Sequence, residues 1–287
     1  VAVGTMSLAD GDRSLLFEPS RPFFPGEPVT VTLSSDVVAQ NGSQLRGGYT
    51  FSFWIRSAPG SGDFVLDEII STKLPGEPQV QTYGSYAGDL DRDGAPDLSM
   101  PCERSDDVRV VLNDGCGDFG PMAMTSVPPN SKPSANEGDD FNGDGVIDLA
   151  TCNFLSDSVS VLLGDGAGGY LPATTYPVGD VPRGITTVDA EGDGDLDLVI
   201  ANRGSSELCL MRNNGDGTFA PADFFEGGGL EETTVLSADA NGDGLGDLFV
   251  AHFGSDTVSL LLGNALGGWV FSDSESVGVL PWNAAVG

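Results

Sequence analysis

The chain has 287 residues and is 39% hydrophobic, enough for one large or two modest packed domains. Its 43 acidic against 12 basic residues give a formal charge of −31, which excludes nucleic acid and anionic membrane surfaces as expected partners. No apolar run reaches the roughly 18 residues of a spanning helix, so no membrane insertion is expected; with 41 Gly, 18 Pro and no sustained helical periodicity, the chain reads as all-β and almost free of helix.

Residues 1–57 alternate over "VTVTL" and "YTFSFWI", with Pro-Gly and Asn-Gly turns between, the pattern of part of a β-sandwich. Residues 58–76 mix small polar residues and prolines around one apolar patch and read as a linker with a docked strand. From residue 77 onward the punctuation changes to Asp-rich loops.

The stretch "DDFNGDGVIDL" shows what those loops contain. Read from Asp140, the spacing D-x-N-x-D-G-x-x-D offers side-chain oxygens at Asp140, Asn142, Asp144 and Asp148, with the backbone carbonyl of Val146 between them. Six to eight oxygens are what a hard cation such as calcium takes. An acidic solvated turn would use the same residue types, but the motif returns three times. The first copy supplies Asp89, Asp91, Asp93, the Ala95 carbonyl and Asp97; the third supplies Asp189, Glu191, Asp193, the Asp195 carbonyl and Asp197. The fourth supplies Asp239, Asn241, Asp243, the Leu245 carbonyl and Asp247. Successive first positions are 51, 49 and 50 residues apart, a regularity that turn composition does not produce. About four Ca²⁺ sites are therefore expected, ligated by oxygen alone because no His or Cys lies among the candidates. Fourteen of the 43 acidic residues belong to these side-chain sets.

An EF-hand would place a bidentate Glu at the twelfth loop position. Met100, Thr151, Ile200 and Val250 stand there instead, and each loop runs into a short apolar segment, so the loops lead into strands. Each repeat also carries an alternating segment ("DVRVVLN", "DSVSVLLG", "SELCLMRNN", "DTVSLLLG") and a closing one, giving four strands in about fifty residues. That is one propeller blade, which buries its faces only by stacking on neighbours. The expected repeats are 77–127, 128–178, 179–228 and 229–278, with the start of a fifth at 279–287. Aligning Pro182 with Pro281 puts a fifth loop one residue past Gly287, so the chain is expected to be part of a longer protein: an open arc of four blades with Trp282 packed on the fourth.

These residues resemble FG-GAP repeats of the VCBS kind, related to the calcium-binding blades of integrin α-subunits. The resemblance covers about 77–287 and implies an extracellular β-propeller, commonly of seven blades, that serves adhesion or ligand binding. Two departures stand out: "CNF", "ANR" and "AHF" replace the Gly-Ala-Pro after the loop, and Glu191 replaces the usual Asp or Asn. Residues 1–57 resemble the second half of a bacterial Ig-like domain.

The leading reading is thus a secreted or surface-attached, calcium-stabilised and non-catalytic module for adhesion, ligand binding or surface assembly, with protein, carbohydrate or copies of itself as partners. A structural repeat of a surface layer or filament is the first alternative, and a secreted carbohydrate-active enzyme the second. Support for catalysis is thin: His252 is the single histidine, it matches Asn153 and Asn202 of sister repeats, and no G-x-S-x-G occurs. No aromatic sugar-stacking cluster stands out. Cys102, Cys116, Cys152 and Cys209 lack C-x-x-C spacing, and two free buried thiols at Cys102 and Cys152 are favoured over a bridge between them.

Overall fold

Alternating side chains and dense Gly punctuation leave this backbone to satisfy its polar groups between strands. The computed structural model describes residues 4–9, 14–20, 23, 28–33, 49–54, 69–77 and 79–285, with no helix among them. Near the N-terminus β1 (Gly4–Ala9) pairs with β2 (Ser14–Pro19), and β3 (Pro28–Leu33) pairs with β4 (Tyr49–Trp54), both antiparallel. The rest of the expected Ig-like segment, and the linker as far as residue 68, lie outside the described residues. Residues 69–77 hold a turn and no strand. They are fixed by Glu77, whose carboxylate accepts from Arg109 at 2.6 Å; Arg109 also donates to Asp107 and to the Thr72 carbonyl.

Four antiparallel four-stranded sheets follow, each ordered as in the sequence. The first comprises β5 (Tyr86–Gly88), β6 (Asp97–Cys102), β7 (Asp107–Val111) and β8 (Ala123–Ser126); the second β9 (Pro133–Asp139), β10 (Asp148–Asn153), β11 (Ser158–Leu162) and β12 (Thr174–Pro177). The third comprises β13 (Pro182–Val188), β14 (Asp197–Asn202), β15 (Glu207–Met211) and β16 (Asp223–Phe225); the fourth β17 (Glu232–Ala238), β18 (Asp247–His252), β19 (Thr257–Asn264) and β20 (Gly268–Ser276). The first strands of successive sheets pack beside one another, β5 on β9, β9 on β13 and β13 on β17, as the inner strands of propeller blades do.

Cores form between blades, not within them. Successive side chains of a strand point to opposite faces, so in β14 Leu198 and Ile200 enter the core shared with the second blade while Val199 and Ala201 enter the core shared with the fourth. A third core joins the first two blades through Leu90, Val108, Val110, Leu149, Leu162 and Tyr170. Burial on both faces explains why β10, β14 and β18 read as nearly unbroken apolar runs.

The first inner strand is shorter than its counterparts β9, β13 and β17. Only Tyr86–Gly88 form a ladder, with one bridge at Thr82 to Cys102. Between them Gly84 passes so close to β9 that a Cβ there would sit 2.6 Å from Asn136 Oδ1. The sister strands break register at the same place, between Pro182 and Gly184 and between Glu232 and Thr234. All four cysteines are free, with Cys102, Cys152 and Cys209 buried and Cys116 exposed.

Candidate functional site

Each Asp loop joins an inner strand to the next strand at one end of its blade, and its last aspartate organises the turn. Asp148 is fully buried; its Oδ2 accepts the Phe141 N–H at 2.9 Å and its Oδ1 the Gly164 N–H at 2.7 Å. Asp97, Asp197 and Asp247 repeat this staple at 2.8–2.9 Å, on Leu90 and Asn113, Ala190 and Asn213, and Ala240 and Gly263. The first aspartate holds the middle of the loop: Asp140 accepts from Asp144 and Gly145, and Asp239 from Gly242, Asp243 and Gly244. Asp93, Asp144 and Asp243 each accept the N–H two residues on, from Ala95, Val146 and Leu245.

These bonds curl the acidic groups inward at a cost. In the first loop one oxygen each from Asp89, Asp91 and Asp97 lie within 4.8 Å of one another, the single such carboxylate cluster among the described residues. Burial, then the charges of Asp91 and Asp93, push the Asp97 carboxyl up. Burial likewise raises Asp148 to about 6 and Asp197 to about 7, with Glu191 and Asp193 adding to the latter. The residues fit an all-oxygen divalent cation, since each carboxylate oxygen keeps a lone pair beyond the staple bond. The third loop departs from the pattern: Glu191 turns to Arg212, with Oε2 3.2 Å from Nε. In the second and fourth loops the Asn142 and Asn241 amides donate to Asp144 and Asp243 at 3.1 and 2.9 Å.

Two features escaped the sequence reading. At the opposite end of the blades, a residue in the turn after the second strand clasps the entry to the next inner strand. Asp106, Asp157 and Asp256 accept from Lys132, Val181 and Leu280 at 2.7–2.8 Å, and Ser206 accepts from Glu231 at 3.1 Å. All eight residues have positive φ. Their recurrence at blade spacing is the available signal, carried by residue types that ordinary turns also use.

The second is a cavity of about 210 Å³ beside the inner strands. The inner strands β9, β13 and β17 line it, together with Tyr83, Gly84 and Ser85 just ahead of β5 and with Trp282 and Asn283 of the segment that follows the fourth blade. Trp282 packs edge-on against Phe253, and the Thr234 hydroxyl donates to its carbonyl at 3.2 Å. Tyr83 and Trp282, both about half exposed, thus reach one cavity from opposite ends of the repeat region. Arg183 at the rim lies 3.7 Å over the Phe154 ring and 3.4 Å from Glu103 Oε1.

His252 holds the structural place its repeat position implies. Its Nε2 is 2.9 Å from Ser259 Oγ, as Asn153 reaches Ser160 at 2.8 Å and Asn202 reaches Cys209 at 3.4 Å. Glu232 Oε1 stands 3.6 Å from its Nδ1, which gives a Ser-His-Glu order, but all three residues are fully buried and out of reach of a substrate.

A family model described as FG-GAP-like repeat matches residues 89–151, 140–200 and 189–250, together more than half of the chain. No curated protein sequence matches it. Solved structures of similar fold include a periplasmic gluconolactonase of Pseudomonas aeruginosa, with TM-score 0.56 and 19% identity, covering 95% of this chain and 70% of the other. A lectin of Agrocybe aegerita that recognises non-reducing terminal N-acetylglucosamine has TM-score 0.50 and 17% identity, covering 87% of this chain; the present chain spans 66% of the lectin's length. Virginiamycin B lyase of Staphylococcus aureus has TM-score 0.50 and 12% identity, covering 88% of this chain and 90% of the other. The expectation of a non-catalytic protein is corrected by these neighbours: a lactonase and a lyase share the fold, so a scarcity of sequence motifs does not exclude catalysis. Inner strands distant in sequence converge on one cavity, which no local motif records.

Proposed function

The chain belongs to the FG-GAP-like repeat family, and from that premise we propose that it is a calcium-stabilised propeller unit that binds a ligand outside the cell. The observation that carries this reading is the approach of the Asp89, Asp91 and Asp97 oxygens to within 4.8 Å, in a loop whose hydrogen bonds recur around the molecule. Calcium would be held by Asp89, Asp91, Asp93, Asp97 and the Ala95 carbonyl, and by the matching groups of the other loops; bound there, it supplies charge neutralisation for carboxylates that otherwise repel. Low-affinity calcium modules work at extracellular calcium levels, and the protein's acidic surface suits a soluble, hydrated exterior.

Calcium that binds only the folded state adds about 2.7 kcal/mol per site at a hundred times its dissociation constant. Calorimetric melting before and after EGTA should show a fall of several degrees, restored by calcium. An unchanged melt, with metal loss confirmed by elemental analysis, overturns the reading.

A further inference from the structure

We infer that Arg212 is a built-in rival to calcium at the third loop, which for that reason binds the ion more weakly than the other three. The inference rests on the calcium reading above and assigns the unequal site. Its carrying observation is a pair of residues that depart from the repeat together and meet. In the first, second and fourth loops the third position turns inward: Asp91, Asn142 and Asn241 accept the N–H two residues on at 3.0, 3.0 and 2.8 Å. Glu191 faces Arg212 instead, its Oε2 3.2 Å from Nε, and the Asp193 N–H is taken by Asp189 at 3.1 Å. Arg212 stands one residue before the second N–H that the aspartate staple holds, where the other blades carry Leu112, Leu163 and Leu262.

The first and third loops offer matching carboxylates, Asp89, Asp91, Asp93 and Asp97 against Asp189, Glu191, Asp193 and Asp197. Among the described residues, however, only the first loop gathers three carboxylate oxygens within 4.8 Å. Arg212 is anchored from two further sides, by Nη1 to Asp223 Oδ2 at 2.5 Å and by Nη2 to the Gly267 carbonyl at 3.3 Å, so its charge is fixed beside the third loop. Calcium entering there must draw Glu191 out of an ion pair and bind next to a cation. Affinity in such loops follows the charge of the ligands, and a unit charge about 6 Å from a divalent ion weakens binding about tenfold even in water. Glu191 and Arg212 are each about a third exposed, so solvent screens the pair, and the site is weakened without being closed. Arg92 makes no equivalent contact: it donates to the Asp144 backbone carbonyl at 2.9 Å, lies 3.8 Å from the carboxylate, and leaves Asp144 bonded inward to Val146.

The test is calorimetric titration of the full chain with calcium after stripping by EGTA and dialysis. The parent should take up three ions tightly and a fourth at least about tenfold more weakly. Asp193→Ala should abolish the weak step and spare the tight ones, which places that step in the third loop. Arg212→Leu, which installs the residue of the sister blades, should tighten the weak step about tenfold, and Glu191→Asn should move it in the same direction. Glu191→Asn leaves Arg212 its bonds to Asp223 and Gly267, so it decides the matter if Arg212→Leu proves unfolded by its melt. Four ions bound alike by the parent, loss of a tight step in Asp193→Ala, or a weak step that no folded variant tightens each overturns the proposal. The two readings fail differently: four equal sites defeat this inference alone, whereas no calcium uptake at any loop defeats the calcium reading on which it rests.

Discussion

Aspartate does three different jobs in this chain, and their order of visibility in the sequence follows their locality. Loop curling depends on residues two to five apart, so the D-x-N-x-D-G pattern was readable directly. The staple made by Asp97, Asp148, Asp197 and Asp247 also reaches sixteen residues forward, to Asn113, Gly164, Asn213 and Gly263, and the sequence offered those aspartates only as metal ligands. The clasp made by Asp157 on Val181 spans 24 residues and holds a β-branched residue at φ 54°, a conformation that costs about 1–2 kcal/mol. Asp157→Ala should therefore cost about 1.5 kcal/mol and lower the melting temperature by roughly 3–6 °C. Asp157→Asn retains an acceptor oxygen and should lose much less. Equal losses from the two variants, measured by calorimetry, would show that the hydrogen bond is not what the aspartate contributes.

The strands were legible where a blade is regular and illegible where it meets something else. Alternation located β7, β11, β15 and β19, and the apolar runs after the loops located β6, β10, β14 and β18. The first inner strand is short because Gly84 passes close to β9 just ahead of it, and nothing local in the sequence marks that place. Residues 69–77 dock, as expected, but through Arg109 and without a strand; that anchor is not legible because Arg109 occupies the strand position that holds Ser160, Cys209 and Ser259 in the other blades, and a lone Arg in a strand does not announce its partner. Arg109 is fully buried, and its hydrogen bonds hold the Glu77 carboxyl down to about 2 from 4.5. A depressed carboxyl stabilises the fold fully above its unfolded pKa and ceases to do so as pH falls through its folded one. The melting deficit of Glu77→Gln relative to the parent should thus be widest near neutral pH and close between pH 4.5 and about 2. A deficit that stays constant across that window would mean the segment is held by contacts other than this ion pair.

At the scale of the molecule, what was legible was the repeat and what was not was the axis. A period of about fifty residues suffices to infer stacked blades, because a blade alone leaves both its faces uncovered. The cavity depends on side chains such as Tyr83, Asn136, Arg183 and Trp282, at successive blades and without a shared residue type, so no repeat-based reading could assemble it. The same architecture governs how stability is shared. Each of the three cores joins one pair of adjacent blades, and none spans three. In such a nearest-neighbour array a local loss of core propagates only as far as the interface coupling carries it. Leu248, fully buried in the core between the third and fourth blades, tests this. Leu248→Ala should cost about 2–5 kcal/mol at that interface. Native-state hydrogen exchange should then show reduced protection in β14, β15 and β17–β19, with β6, β7 and β10 close to their parental values. An even loss of protection from β6 to β19 would mean instead that the four blades open as one cooperative unit, with coupling along the axis as strong as the cores themselves.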